Sequence, residues 1–304
     1  MNILVIGGSN IDIYGLIPGP LKMKDSNLGK IYTSPGGVGR NILENLARLQ
    51  LKPRFVTAIG NDHNGHDLIN QLTALGVETQ TLIVEKQITP TYLAVLDSER
   101  DMLIAVNDMD TLKSLDVRFL KETPTVAKWI KEAECIVTDT NLDATVLAYL
   151  AEEVKKPLYV DAISSTKAMK LMPLLNHITV LKCSRREAEA LAGISVSSQP
   201  IEKIGRAILD KGVGELFLTD GANGSYCFKG KTITHHRAFP VEVVSTSGAG
   251  DAFFSGVIYA KAHNLDALKY GSAAAKLTLQ SPLTNSPLLS PQALSQILIE
   301  NGEK

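Results

Sequence analysis

The 304-residue sequence predicts an α/β fold: a doubly wound, mostly parallel sheet with helices on both faces and a small extra sheet at one edge. Three observations predict it. Short apolar, β-rich runs alternate with helix-period segments for most of the length. Two glycine-rich turns each lead straight into a helix. Polar residues recur at the ends of the predicted strands, where open parallel sheets collect their ligands.

Residues 3–7 read as a strand, and 38–49 as a helix with Ile42, Leu43, Leu46, Ala47 and Leu49 at helical spacing. A strand at 55–59 precedes a helix at 65–75 that Gly76 closes. Residues 135–138 form a strand, 144–153 a helix and 158–161 a strand. A strand at 179–182 leads to a helix at 186–192 closed by Gly193; a helix at 201–211, closed by Gly212, leads to a strand at 216–219. Four stretches interrupt this alternation. Residues 11–17 and 29–34 are strand-like with no helix between them, and 92–97 and 102–106 pair as a hairpin. They predict the small separate sheet. The last third is helical at 250–263, 265–279 and 291–299. Gly230-Lys231-Thr232 imitates the end of a GxxxxGK[ST] phosphate loop, but Ser225 occupies the leading glycine position, so a hairpin turn fits better. With no repeat or linker, 1–304 is expected to form one domain with lid strands at about 11–34 and 91–106.

Apolar residues make up 44% and charged residues 21%, and the net charge is −1 from 31 basic and 32 acidic side chains. That is a globular chain with ample core. It lacks the basic face of a nonspecific nucleic-acid binder. No apolar stretch attains the roughly 18–20 residues that cross a bilayer. The apolar start has no basic flank and reads as a first strand rather than a signal peptide. Cys135, Cys183 and Cys227 show no CxxC or Cys/His spacing, which argues against disulfides and zinc and for a cytoplasmic setting. His235 and His236 alternate across a strand and read as solvent-edge residues.

Ser245-Thr246-Ser247-Gly248-Ala249-Gly250-Asp251 opens a helix with an apolar face. Small residues at 248–250 let an anion approach N–H groups at the helix N-terminus, where donors are unpaired and the dipole favours negative charge. Asp251 then stands where a general base for an alcohol belongs, beside a hole for a transferring phosphoryl group. It also reads as an ordinary helix-terminus acid. The other turn, Ser34-Pro35-Gly36-Gly37-Val38-Gly39-Arg40-Asn41, is not a dinucleotide fingerprint, because Ile42 stands in place of the last glycine of GxGxxG. It suggests close approach to a polyhydroxyl or phosphate ligand, or simply a helix-initiating turn. Asn10 and Asp12, Asn107 and Asp108, Asp139, and Asp161 follow or end predicted strands and would share one edge.

With these motifs in order, the chain resembles the PfkB, or ribokinase-like, family of carbohydrate and nucleoside kinases. Gly36-Gly37-Val38-Gly39-Arg40-Asn41 and Gly248-Ala249-Gly250-Asp251 match its two signatures, and Gly8-Ser9-Asn10-Ile11-Asp12 and Thr219-Asp220-Gly221-Ala222-Asn223-Gly224 also fit. The resemblance implies a ribokinase-like body with a β lid, and ATP and Mg2+ as cofactors. It implies Asp251 as base and Gly248, Ala249 and Gly250 as anion hole. Asn10, Asp12, Gly36, Gly37, Arg40, Asn41 and Asp139 fall on the sugar side. Lys182, Ser184, Glu187, Thr219, Gly221 and Gly224 fall on the ATP side, with Glu187 organising Mg2+ through water. Ser245 and Ser247 would flank a monovalent cation such as K+. There are two departures: Ser184-Arg185-Arg186-Glu187 replaces the usual Asn-x-x-Glu, and Ser245 replaces an Asp.

A narrower pattern is similar to that of pseudouridine kinases: Asp25-Ser26-Asn27-Leu28-Gly29-Lys30, the early glycine turn through Ile42, and Ala105-Val106-Asn107-Asp108-Met109. It implies ATP-dependent phosphorylation of the 5′-hydroxyl of pseudouridine, with Asn107 facing the base and Asp108 offering a carboxylate beside it. The alternatives are a kinase of uridine, adenosine or ribose, a silent nucleotide- or sugar-binding regulator, and a DNA-binding regulator. Asp251 argues against the second. The neutral charge and the absence of an N-terminal helix-turn-helix argue against the third. The expected partner is a small nucleoside, with no nucleic acid or membrane. Ile11, Ile13, Leu16, Ile17, Ile31 and Tyr32 give the lid more apolar surface than a one-layer sheet leaves in water, so a homodimer through the lid is expected.

Overall fold

The computed structural model describes residues 1–194 and 199–303; residues 195–198 and 304 of the expected single-domain span lie outside the described residues. The chain opens with β1 (Ile3–Ile6), then leaves the main sheet for β2 (Asn10–Leu16) and β3 (Lys30–Gly36). It returns through α1 (Val38–Arg48), β4 (Arg54–Gly60), α2 (His63–Ala74) and β5 (Glu78–Val84). The hairpin β6 (Thr91–Leu96) and β7 (Met102–Asp108) precedes α3 (Val117–Glu122) and α4 (Pro124–Glu132). Alternation resumes with β8 (Cys135–Asp139), α5 (Ala144–Ala148), β9 (Leu158–Asp161), α6 (Ser165–Ala168), β10 (Val180–Ser184), α7 (Arg185–Ala192), α8 (Ile201–Leu209) and β11 (Glu215–Thr219). The hairpin β12 (Ser225–Lys229) and β13 (Thr232–His236) and the helices α9 (Ala249–His263), α10 (Ala267–Leu279) and α11 (Pro291–Glu300) complete the chain.

The large sheet runs β13-β12-β11-β10-β9-β8-β1-β4-β5. Neighbours from β11 to β5 are parallel, and β12 and β13 add an antiparallel edge. Its central strands are buried on both faces, which explains their continuous apolar runs. Strand alternation splits β1 between two cores: Leu4 and Ile6 join one cluster with Ile136, Val160 and Leu216, while Ile3 and Val5 join another with Ile42, Phe55, Phe217 and Phe254. Two cores on opposite faces are what a doubly wound sheet requires. The expected α/β class is therefore the observed one.

Several elements depart from the sequence reading. The edge strand β5 was not anticipated, because Glu78, Thr79, Gln80 and Thr81 carry little apolar signal. Nor were α3, α4, or the 3-10 stretch Met169–His177 around Pro173. The helix expected at 144–153 holds, but its second half widens into a π-helix, Tyr149–Glu153. His236 is not a solvent-edge residue. Its ring packs edge-on against Phe239 with centroids 4.9 Å apart, and Glu303 lies 3.4 Å from Nε2.

The four interrupting strands form their own sheet, ordered β3-β2-β6-β7. Asp12 sits opposite Ser34 and Tyr92, and Tyr92 opposite Asn107, so these residues share one face. Asp108 pairs with Thr91 and belongs to the other face. Its Oδ1 accepts from the Asp110 N–H at 3.2 Å, so it shapes the turn after β7 rather than standing beside Asn107.

Candidate active site

Gly248 N-caps α9 with φ 75°, and a Cβ there would run into Thr284 O. A side chain is excluded both by the left-handed backbone and by space. Asp251 occupies the third helical position and is buried. Ser255 Oγ donates to Asp251 O at 2.7 Å and lies 3.3 Å from Ile42 O, tying α9 to α1. Gly250 leaves room for Lys182, whose Nζ would be 2.7 Å from a Cβ at that position. The ammonium is thus held against the helix N-terminus, where the backbone dipole already favours an anion.

Lys182 Nζ donates to Asp161 Oδ2 at 3.0 Å, bringing the end of β9 to that of β10. Burial works against its charge, but Asp161, Asp251 and Glu187 outweigh it and keep the ammonium protonated well above its usual range. Asp251 behaves oppositely. Burial and the nearby Asp161 push its carboxyl up to about 7, against the pull of Lys182 and an Asn41 hydrogen bond. That bond, Asn41 Nδ2 to Asp251 Oδ2, is 2.7 Å long. A carboxyl titrating there can both accept and release a proton near neutrality.

The early glycine turn abuts this cluster. Gly37 has φ 95°, and a Cβ would lie 2.5 Å from Gly8 O; a Cβ on Gly36 would meet the Asp12 carboxylate at 2.6 Å. Asn10 Nδ2 donates to Asp12 Oδ1 at 2.7 Å, while burial raises the Asp12 carboxyl. Asn10, Asp12, Gly36, Gly37 and Asn41 therefore converge on one side of Asp251. Two residues expected on that side have other partners. Asp139 is fully buried, with Oδ2 accepting from Gly8 N (2.9 Å) and Gly39 N (2.7 Å), and Oδ1 from Asn141 N (2.7 Å). Three backbone donors occupy it, so it clamps the turns. The Arg40 guanidinium is buried against Glu44, Asn41 and Asn285. Asn107 lies across the lid on the Asp12 face and is exposed.

On the other side of Asp251 opens a cleft of about 550 Å³. Thr219, Gly221 and Gly224 line it together with Ala249 and Gly250. The sequence reading missed the apolar wall of Phe239, Pro240, Val241 and Val243, and Ala275, Lys276 and Leu279 of α10. A largely apolar cleft that reaches the N-terminus of α9 at Ala249 and Gly250, with Lys182 against Gly250, fits a nucleotide with its phosphates toward that helix. Ser184 and Glu187 form a capping box at the start of α7: Glu187 accepts from Ser184 N at 2.7 Å and Ser184 Oγ accepts from Glu187 N at 3.5 Å. Among the described residues no three His, Cys, Asp or Glu side chains converge as a metal cage. Ser245 Oγ accepts from Ser247 N at 3.2 Å, so that turn offers a cation only neutral oxygens.

Beyond geometry, the pfkB family carbohydrate kinase profile matches residues 1–291. The chain belongs to the PfkB family. It is similar to pseudouridine kinase of Escherichia coli K12, 33% identical over 309 residues, covering 99% of this chain and 97% of that one. It is also similar to guanosine-inosine kinase of Exiguobacterium acetylicum, 29% identical over 84% of this chain and 86% of that one. Its fold matches the structure of Arabidopsis thaliana ribokinase complexed with ribose and ATP, with a TM-score of 0.82, 22% identity, and 98% of each chain covered. This PfkB kinase therefore has the ribokinase-like body and separate β lid that its sequence predicts. No described helix is long and apolar enough to cross a membrane.

Proposed function

We propose that this PfkB kinase transfers the γ-phosphoryl group of ATP to the 5′-hydroxyl of pseudouridine. The observation that carries the reading is the place of Asp251: hydrogen-bonded to Asn41 beside the glycine turn, under the charge of Lys182 from β10, on the helix whose first residues line the cleft. A nucleoside under the lid and a nucleotide in the cleft meet there. As the 5′-oxygen bonds to γ-phosphorus, its proton passes to the Asp251 carboxylate and the bond to the β–γ bridging oxygen breaks, releasing ADP. Lys182 and the N–H groups of the Gly248-Ala249-Gly250 turn neutralise charge on the phosphoryl oxygens. Mg2+ would add positive charge to offset that of the phosphates, and Glu187, whose carboxylate also accepts from Ser184 N, would be the residue to hold it through water.

Pseudouridine carries a ring N–H where uridine has its glycosidic nitrogen. Asn107, on the Asp12 face of the lid, offers an acceptor for it, and Tyr14 and Tyr92, ring centroids 6.4 Å apart, offer flat apolar surface nearby. The 33% identity to a pseudouridine kinase supports the same choice. The free cysteines suit a cytoplasmic enzyme, and the apolar outer lid face suits a homodimer. The test is ADP release with pseudouridine, uridine, adenosine, inosine and ribose. Pseudouridine is expected to give the highest kcat/KM; equal turnover of uridine or ribose overturns the substrate assignment and leaves the kinase.

A further inference from the structure

We propose that Arg40 is a positioning residue for the phosphoryl-transfer base: it fixes the Asn41 amide so that its nitrogen, and not its oxygen, faces Asp251. The inference rests on Asp251 being the base. Arg40 Nε and Nη2 both approach Asn41 Oδ1, at 3.2 and 2.6 Å. A guanidinium only donates, so the group that meets it must be the amide oxygen. The amide nitrogen is left to donate to Asp251 Oδ2 at 2.7 Å. The orientation of Asn41 is thus dictated by its neighbour.

Arg40 is itself pinned. Nη1 donates to Glu44 Oε2 at 2.7 Å, and Arg48 holds the other oxygen of Glu44 at 2.7 Å. Nη2 also donates to Asn285 Oδ1, and Asn285 Nδ2 donates to Asn41 O and Asn45 Oδ1, both at 2.9 Å. Arg40, Asn41, Glu44, Asn285 and Asp251 are all at most 8% exposed, so no bulk water can substitute for a lost partner. Arg40 also senses the Asp251 charge directly, but its hydrogen bonds reach the base only through Asn41.

Turning the amide over would set its carbonyl against the carboxylate. Only protonated Asp251 can donate to a carbonyl, so the flipped state favours the form that cannot act as a base. The other charged groups around Asp251 are Asp139 from β8, Asp161 from β9 and Lys182 from β10, with Glu187 of α7 facing Lys182 and Asp12 of β2 facing Arg40. Among the described residues, the side-chain hydrogen bonds of the Asn41 amide are to Arg40 and Asp251, so Arg40 is the partner that fixes where its oxygen lies.

The experiment is the pH dependence of kcat/KM for the best substrate of the panel, in wild type, Arg40→Met, Asn41→Ala and the double variant. Arg40→Met should raise the midpoint of the acid limb by about one unit, with activity recovering at high pH. In the Asn41→Ala background the same change should move the midpoint by less than about a third of that, since coupled residues are non-additive. Arg40→Lys keeps a charge and a donor; it should show an intermediate shift and covers the case in which the Met variant does not fold. An unmoved midpoint in the foldable Arg40 variants overturns the proposal. So does a full shift that persists without Asn41, which would mean through-space charge alone. Asp251→Asn separates the two readings: if it remains active the base assignment fails, whereas failure of the Arg40 proposal leaves its inactivity intact.

Discussion

At the carboxyl edge of the large sheet, Asp139, Asp161, Lys182 and Asp251 are buried and each carboxylate or ammonium has a defined partner. The lid shows the reverse. Ile31, Ile104 and Val106 are 77%, 60% and 58% exposed on one face, while its other face presents Asn107 to open space. The edge holds its charges in a dry environment, which costs desolvation that the defined partners offset. The lid is a sheet one layer thick whose outer face is largely exposed, while its inner face is covered at Ala94 and open at Asn107. Catalytic chemistry is therefore expected to depend on single atoms of the edge, and selectivity and assembly on the surfaces of the lid.

The sharpest break of this contrast is Asp251→Asn. The side chain keeps its size but cannot accept the proton, and kcat should fall about 10²–10⁴-fold. ATP binding, followed by calorimetry, should change little. In wild type, kcat/KM should rise with pH through about 7, the midpoint of the buried carboxyl. Stability should follow the opposite course. The folded state holds this proton more tightly than the unfolded chain, whose carboxyl titrates near 3.8, so the group's contribution to stability is lost as pH rises from there through about 7. Above pH 7 the Asn variant should accordingly melt at the same temperature as wild type or higher. More than about a third of wild-type turnover in the variant removes Asp251 from the base role.

A smaller effect is expected from the inner lid face. Asn107→Ala removes the acceptor proposed for the extra ring N–H of pseudouridine. Asn107 is exposed, so the penalty applies only once a bound nucleoside covers it: an acceptor then left without its donor costs about 1–3 kcal/mol, and wild type should disfavour uridine about tenfold. The variant should lose most of that preference by lowering kcat/KM for pseudouridine toward the value for uridine. Retention of the full preference would place the determinant elsewhere, with Tyr14 and Tyr92 the next residues to substitute. Burial and the adjacent Asp12 push the Tyr14 hydroxyl up to about 12, so it remains a neutral donor at working pH.

The parallel body was legible because its central strands are buried on both faces and its helices keep a 3.6-residue period. The glycine turns were legible because Gly37 and Gly248 adopt backbones that favour glycine. The edge strand β5 was not, since half of it is polar. The destination of a strand-end acid was not legible either. Asp139 and Asp161 look alike in sequence, yet one binds three backbone N–H groups and the other a lysine. Arg40 reads as a ligand contact until Asn285, 245 positions away in a loop, closes around it. No local pattern reports a contact of that separation. Ser184 is different: the Ser-x-x-Glu spacing is itself a capping-box signal, so its structural role was readable beside its departure from the family pattern.

The mildest expected effect concerns the outer lid face. Its strands are six or seven residues long, so the sheet measures roughly 20 by 20 Å from strand rise and spacing. A face of about 400 Å² falls short of the roughly 800 Å² that each partner of a stable complex normally buries. Pairing of two lids should therefore depend on concentration, with neighbouring Met23 and Leu28, 77% and 93% exposed, adding to the contact. Light scattering across about 1–100 μM should show the mass rising toward twice that of the chain. Ile104→Lys should hold it at one chain, because pairing would bury two like charges against an apolar surface. If the lid closes better when paired, that variant should also raise KM for the nucleoside a few-fold while leaving KM for ATP unchanged. A wild-type mass that stays at one chain throughout the range rejects the lid as an interface and leaves its apolar face to closure over the subunit's own site.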